Sequence, residues 1–212
     1  MKDQHVIDRV AREQRRRTLK FVAAGLFASH FPAALSSLAA NTVAGEEGKG
    51  GSMPRILIAY YSRTGNTRAI AAHIQSLVGG ENFEIQTVVP YPDEYKATTV
   101  QAKKELEAGY KPPLRGKVEN IAPYDVVFIG SPNWWGTIAP PVMTFLSEHD
   151  LSGKIVAPFI THEGSALGRS MGDVRALCPN STVVEGLAVR GSRAASAKDE
   201  VAAWLRATGI QK

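Results

Sequence analysis

From residue 53 onward the chain alternates short apolar runs with longer amphipathic segments, and this alternation constrains the fold more than any other feature. The runs are ILIAYY (56–61), FEIQTVV (83–89), DVVFIGS (125–131), KIVAPFIT (154–161) and TVVEGLAV (182–189). Helical segments are expected at Thr67–Val78, Ala97–Ala108, Ala139–Glu148, Ser165–Leu177 and Ser196–Ala207. Strands that read as continuous hydrophobic runs meet water on neither face, so the pattern predicts an α/β fold: a parallel sheet with helices on both sides. Right-handed crossovers and a reversal of strand order leave a crevice at the carboxyl ends of such strands, where ligands bind. Functional residues are therefore expected just after strands. The long connection from Pro90 to Val118 reads as a crossover helix with turns at Pro92 and Pro112-Pro113.

Ahead of this body, QRRRTLK (14–20) precedes FVAAGLFASHFPAALSSLAA, an apolar stretch that ends in small residues. A basic region, an apolar region and a small-residue cleavage site are the parts of an export signal. Residues 1–44 are therefore expected to be a signal peptide and 45–53 a glycine-rich linker, with the folded domain at 54–212. Cleavage is expected after Ala39, Ala40 or Ala44. Arg15 and Arg16, followed by Thr18, Leu19 and Lys20, resemble a twin-arginine signal. His30, Pro32 and several serines interrupt the apolar stretch, which argues against a lasting membrane anchor. The expected location is the periplasm, or the cytoplasm if translation starts at Met53.

The chain's formal charge of +5 is concentrated in this leader. Residues 1–52 hold eight Lys/Arg and five Asp/Glu, which leaves seventeen against fifteen in the body. No stripe of basic residues with interleaved aromatics appears there, so nucleic acid is not an expected partner. The single cysteine, Cys178, cannot form an internal disulfide.

Three loops follow the predicted strands. SRTGNT, from Ser62 to Thr67, joins a buried strand to a helix. Such a junction points backbone N–H groups and the positive end of a helix at one spot, which suits an anion. Ser62, Thr64, Asn66 and Thr67 add hydroxyl or amide donors, and Gly65 permits a tight turn. The loop lacks the G-x-x-x-x-G-K-[ST] and G-x-G-x-x-G patterns of the common nucleotide sites. It also reads as a plain polar turn in which Asn66 or Thr67 caps the helix. SPNWWGT (131–137) sets Trp134 and Trp135 side by side after the third strand, and adjacent tryptophans do not easily share one core face. At least one is expected at the surface or against a ligand, as a flat apolar wall. THEGSALG (161–168) supplies a polar edge through Thr161, Gly164 and Ser165, with Gly168 at the start of the next helix. His162 and Glu163 form its ionisable pair, expected mainly to meet solvent.

Together these loops resemble those of flavodoxins, over Arg55 to about Ala207. The resemblance implies a three-layer sandwich with a five-stranded parallel sheet in the order 2-1-3-4-5. It implies FMN as cofactor, with Ser62, Arg63, Thr64, Gly65, Asn66 and Thr67 on the phosphate and Trp134 or Trp135 against the isoalloxazine. Pro132, Asn133 and Gly136 would line the reactive side, and a peptide beside Gly136 could turn a carbonyl toward the ring. Thr161, His162, Glu163, Gly164, Ser165 and Gly168 would lie near the pyrimidine edge. No catalytic or metal-ligating residue is expected. The function implied is electron transfer to a redox protein or a small-molecule acceptor. An FMN-dependent NAD(P)H:quinone-type oxidoreductase and a flavin-free binding module on the same fold are the alternatives. Flavodoxins are typically strongly acidic; this near-neutral body departs from them in a property that governs association rather than fold.

Overall fold

The computed structural model describes residues 53–211. The expected signal peptide and nearly all of the expected linker lie outside the described residues. Five positions make up the parallel sheet, in the order β2 (Glu81–Glu84), β1 (Ile56–Tyr60), β3 (Val126–Trp134), β5 (Ile155–His162) and β6 (Thr182–Val183). A further strand, β7 (Leu187–Arg190), continues the last position beside β5. A two-residue strand, β4 (Thr137–Ile138), folds back antiparallel on the end of β3. The order matches the expected 2-1-3-4-5 once β6 and β7 are taken as one interrupted edge strand.

The helices are α1 (Asn66–Val78), α2 (Tyr95–Ala108), α3 (Pro140–Glu148), α4 (Ser170–Leu177) and α5 (Lys198–Ala207). β1 explains the layering. Its five residues are all buried, and they alternate between two apolar cores. Leu57 and Ala59 join Val142 and Phe145 of α3 and Val174 of α4. Ile56, Ile58 and Tyr60 join Ile70 and Ile74 of α1 and Val201 and Leu205 of α5. A strand with period-two side chains and no polar face requires this double covering. Among the described residues, no helix is long and apolar enough to cross a membrane.

Three element boundaries differ from expectation, each for a local reason. The second strand ends at Glu84, well short of 89. Ile85 N–H still reaches Tyr60 O at 2.7 Å, but Thr87 then leaves the sheet to bridge Leu114. The fifth strand breaks at 184–186. There Trp204 Nε1 donates to Glu185 O at 2.8 Å, and a Cβ on Gly186 would lie 2.5 Å from Met171 Sδ. The helix expected from Ser165 begins at Ser170, because Ala166 (φ 47°) and Gly168 (φ 53°) are left-handed and cannot belong to a right-handed helix. Cys178 closes α4, and burial pushes its thiol up to about 11.

Candidate functional site

The three loops at the carboxyl ends of β1, β3 and β5 converge on one cleft of about 790 Å³. In the first, Gly65 (φ 91°) takes the cap position of α1, and no side chain caps the helix. The reading of Asn66 or Thr67 as a cap is therefore corrected. Glycine suits this position because the left-handed conformation costs it nothing. The first backbone bond of α1 runs from Ala69 N–H to Gly65 O at 2.9 Å. The N–H groups of Gly65, Asn66 and Thr67 have no acceptor among the described residues. Ser62 Oγ accepts from Arg68 N–H at 3.3 Å and helps shape the loop. The Thr67 hydroxyl points inward instead, 2.8 Å from that of Thr161, and this buried pair ties the loop to the end of β5.

In the second loop, Trp134 and Thr137 pair across a two-residue hairpin made of Trp135 and Gly136. Both turn residues have positive φ, 53° and 82°. That is the pattern of a type I′ turn, which favours Asn-Gly. A tryptophan held there costs about 1–2 kcal/mol of backbone strain. The two indoles are thereby separated. Trp134 is half-buried and meets Tyr61 and Tyr91 edge to face, at centroid distances of 5.5 and 4.9 Å. Trp135 remains 52% exposed at the cleft mouth. Its Nε1 donates to Thr99 O at 2.9 Å, and Lys103 Nζ lies 5.3 Å from the ring centroid. The indole with an open face is that of Trp135.

The third loop is bolted to the second. Asn133 Nδ2 donates to Ala166 O at 2.9 Å, while its Oδ1 accepts from Gly136 N–H at 3.0 Å. Gly136 O accepts from Arg169 N–H at 2.8 Å. The loops approach so closely that a Cβ on Gly168 would lie 2.3 Å from Gly136 O. The turning peptide expected beside Gly136 is thus not what the fold builds. One flanking peptide is held by its N–H and the other by its carbonyl. His162 Nδ1 accepts from Gly164 N–H at 3.0 Å, which places its ring proton on Nε2. Glu163 is exposed, and its backbone carbonyl accepts from the Arg190 guanidinium at 3.1 Å.

Of the expected residues, Arg63, Thr64, Asn66, Pro132, Asn133, Trp134, Trp135, Gly136, Thr161, His162, Glu163, Gly164 and Ser165 line the cleft. Ser62, Gly65, Thr67 and Gly168 do not line it; they fix the loops behind it. The fourth wall was missed by sequence reasoning. Helix α2 contributes Tyr95, Thr98, Thr99 and Ala102. Tyr95 is 73% exposed, and the Arg63 guanidinium lies 6.0 Å from its ring centroid. An exposed tyrosine opening a crossover helix was the available signal. Among the described residues, no group of three or more His, Cys, Asp or Glu could hold a metal ion.

Behind Trp134, the carboxyl of Glu105 on α2 is buried. Tyr91 donates its phenol proton to one carboxyl oxygen, and Gln101 Nε2 donates to the other at 2.8 Å. Loss of solvation raises the Glu105 pKa above its ordinary value near 4.5, against the opposing pull of the two hydrogen bonds. Burial likewise pushes the neighbouring Tyr61 phenol up to about 12.

A family model described as Flavodoxin matches residues 55–208. The chain belongs to the flavodoxin family. Among solved structures it is similar to a candidate flavoprotein of Bacteroides eggerthii, at 31% identity and a TM-score of 0.67. That match covers 74% of this chain and 99% of the other. It is also similar to a flavoprotein of Lactobacillus acidophilus solved in complex with FMN. There the identity is 26% and the TM-score 0.57, with 70% of this chain and 99% of the other covered. Comparison with curated proteins gives no match.

Two predictions concern this flavodoxin family member as a folded chain. Gly168→Ala should force apart the Gly136–Arg169 contact and cost about 1–3 kcal/mol in urea unfolding, the usual penalty of overpacking. An unchanged midpoint would show that the two loops are not coupled. The second concerns pH. Because the folded state holds the Glu105 proton more tightly than the unfolded state, its stabilising effect is complete below the ordinary carboxyl value. It is lost as pH rises through the raised folded value. Glu105→Gln should therefore gain stability relative to the parent as pH rises above 4.5 and through the raised folded value. A difference independent of pH would mean that the buried carboxyl is not perturbed.

Proposed function

We propose that the chain binds FMN in this cleft and serves in electron transfer. The observation that carries the reading is a set of unpaired N–H groups at Gly65, Asn66 and Thr67, in the loop whose Thr64 and Asn66 line the same cleft as Trp135. The donor set fits a phosphate monoester. It offers backbone N–H groups, the hydroxyl of Thr64, the amide of Asn66 and the positive end of α1, and it needs no lysine. The rest of the cleft fits a planar ring with one polar edge. Trp135 supplies an apolar face, and Thr161, Gly164 and Ser165 supply hydrogen-bonding groups beside it.

The chemistry supplied by FMN when bound is reversible acceptance and donation of electrons. The chain's own residues bind, orient and shield. The phosphate loop fixes one end of the cofactor, and the bolted pair of loops sets the ring between Asn133–Gly136 and Thr161–Ser165. Trp134 walls the inner side of the cleft, and Tyr61 and Tyr91 pack against it edge to face from behind.

A test separates phosphate from ring recognition. Riboflavin lacks the phosphate, so FMN should bind at least about tenfold more tightly, as measured by quenching of flavin fluorescence. Asn66→Ala should weaken FMN and leave riboflavin affinity in place. Equal affinity for the two flavins would remove the phosphate from this loop.

A second reading is an oxidoreductase that takes hydride from a nicotinamide dinucleotide. It is favoured by the cations at the mouth, Lys103 over Trp135 and Arg63 over Tyr95, which suit an anionic small molecule. Stopped-flow mixing of the FMN-loaded chain with NADPH distinguishes the two. Bleaching of the flavin within seconds supports the enzyme, and a stable yellow solution supports the carrier.

A further inference from the structure

Helix α2 is the wall of the main cleft to which the flavin reading assigns no contact. Its lining residues Tyr95, Thr98, Thr99 and Ala102 follow the spacing of one helix face. Both threonine hydroxyls are engaged within the chain: Thr98 donates to Pro92 O at 2.6 Å and Thr99 to Lys96 O at 2.8 Å. The face therefore offers a ligand mostly carbon, with an aromatic ring at its head. Tyr95 is 73% exposed there, and Trp135 is fastened one turn further along, its Nε1 on Thr99 O. Exposed aromatic surface gathered in a cleft marks a place where a ligand binds.

A positive charge stands beside this ring. The Arg63 guanidinium carbon lies 6.0 Å from the Tyr95 centroid, and no carboxylate among the described residues pairs with it. One terminal nitrogen donates to Asp93 O at 2.5 Å. Nε is buried in the loop and closed to a ligand. The second terminal nitrogen has no acceptor among the described residues and is open to solvent. It can donate a charge-assisted hydrogen bond to an anion. Glu163 is the acidic residue that lines this cleft, and its carboxylate is placed against Gly191, where a Cβ would lie 2.3 Å from Oε1. Asp93 lines the neighbouring space instead.

We propose that Tyr95 and Arg63 form a second subsite of the cleft, which takes a planar aromatic anion, an aryl carboxylate or sulfonate, while FMN is bound. The proposal rests on the flavin reading above and names the small molecule that the cofactor meets. The phenol ring gives a flat face for the aromatic part, and offset stacking on it adds to plain burial. The free Arg63 nitrogen takes the anionic group. Ala102 and the carbon atoms of the two threonines floor the space between Tyr95 and Trp135. A molecule on the tyrosine and a flavin on the tryptophan are therefore neighbours, and neither displaces the other.

The test titrates the full chain with FMN, then titrates the FMN-saturated chain by calorimetry with two redox-inert probes, naphthalene-2-sulfonate and the uncharged 2-naphthalenemethanol. Each titration is repeated with Tyr95→Ala, Tyr95→Phe and Arg63→Gln; Tyr95 is exposed and its loss threatens no core. The sulfonate is expected to bind about tenfold more tightly than the alcohol. Tyr95→Ala should weaken both probes about tenfold, and Tyr95→Phe, which keeps the ring, should bind them as the parent does. Arg63→Gln should erase the advantage of the sulfonate and leave the alcohol unchanged. Equal affinity for the two probes in the parent, or probe binding indifferent to Tyr95→Ala, would overturn the proposal. So would a loss of FMN affinity in Tyr95→Ala as large as the loss for the probes, since the ring would then belong to the flavin. FMN binding with both probes silent would remove the subsite and leave the flavin reading standing. Failure of FMN to bind the parent would overturn the two together.

Discussion

Parallel pairing places Tyr60 of β1, Gly130 of β3 and Phe159 of β5 in one row across the sheet. Gly130 is the keystone of that row. A Cβ there would lie 2.2 Å from the Phe159 ring and 2.6 Å from Tyr60 Cβ, so the middle strand gives up its side chain to let its neighbours close over it. The register fixes the height at which all three strands leave the core. Just past this row the buried run gives way to Ser62, Pro132 and His162, the first residues on each strand to reach the surface partly. Three loops emerging at one level can share a ligand. A slip of one residue would exchange the faces of a whole strand and strand its loop away from the others.

Convergence alone would leave the loops mobile, and the structure spends several groups on preventing that. Thr67 and Thr161 join the first loop to the third through their buried hydroxyls. Asn133 joins the second to the third through its amide nitrogen, and its amide oxygen braces the second loop at Gly136 N–H. The Gly136 carbonyl and the Arg169 N–H complete the fastening. Against this stands the strain of Trp135, whose backbone occupies a conformation that favours asparagine or glycine. Backbone strain of this kind persists where the surroundings over-determine it, and such positions cluster at functional sites. Here the over-determining contacts are the Thr99 carbonyl on the indole nitrogen and the ladder pair between Trp134 and Thr137.

Much of this could be read in the sequence because it obeys local rules. Buried parallel strands announce themselves as apolar runs, and polar residues directly after them mark the ligand end of the sheet. What could not be read depends on contacts between distant segments. The second strand is spelled ENFE, exposed and charged at its start, and pairs only because β1 offers it an edge. The start of α4 shifts from Ser165 to Ser170 because Gly168 must meet Gly136, thirty-two residues earlier in the chain. Apart from Tyr95 at the head of the helix, the α2 wall leaves little trace in the sequence for the same reason. Nothing near Thr99 says that an indole will seek its carbonyl, and the separation of Trp134 from Trp135 follows from a hairpin too short to register as periodicity.

The electrostatics of the mouth bear on what approaches the proposed cofactor. The body carries seventeen basic against fifteen acidic residues, so no long-range field of one sign surrounds the cleft. Acidic neighbours in the structure are largely spent on local pairs, Glu84 on Arg68 and Asp173 on Arg169. The cations at the rim have different partners. Arg63 rests over Tyr95 with no carboxylate partner among the described residues, whereas Lys103 lies over Trp135 and also pairs with Glu107 at 3.8 Å. A cation on an aromatic face keeps more of its charge for a visitor than one in an ion pair, because the ring contributes a quadrupole and no compensating charge. The chain thus combines local positive charge with weak long-range steering. That combination suits an anionic molecule small enough to enter the cleft better than a large basic partner drawn from a distance.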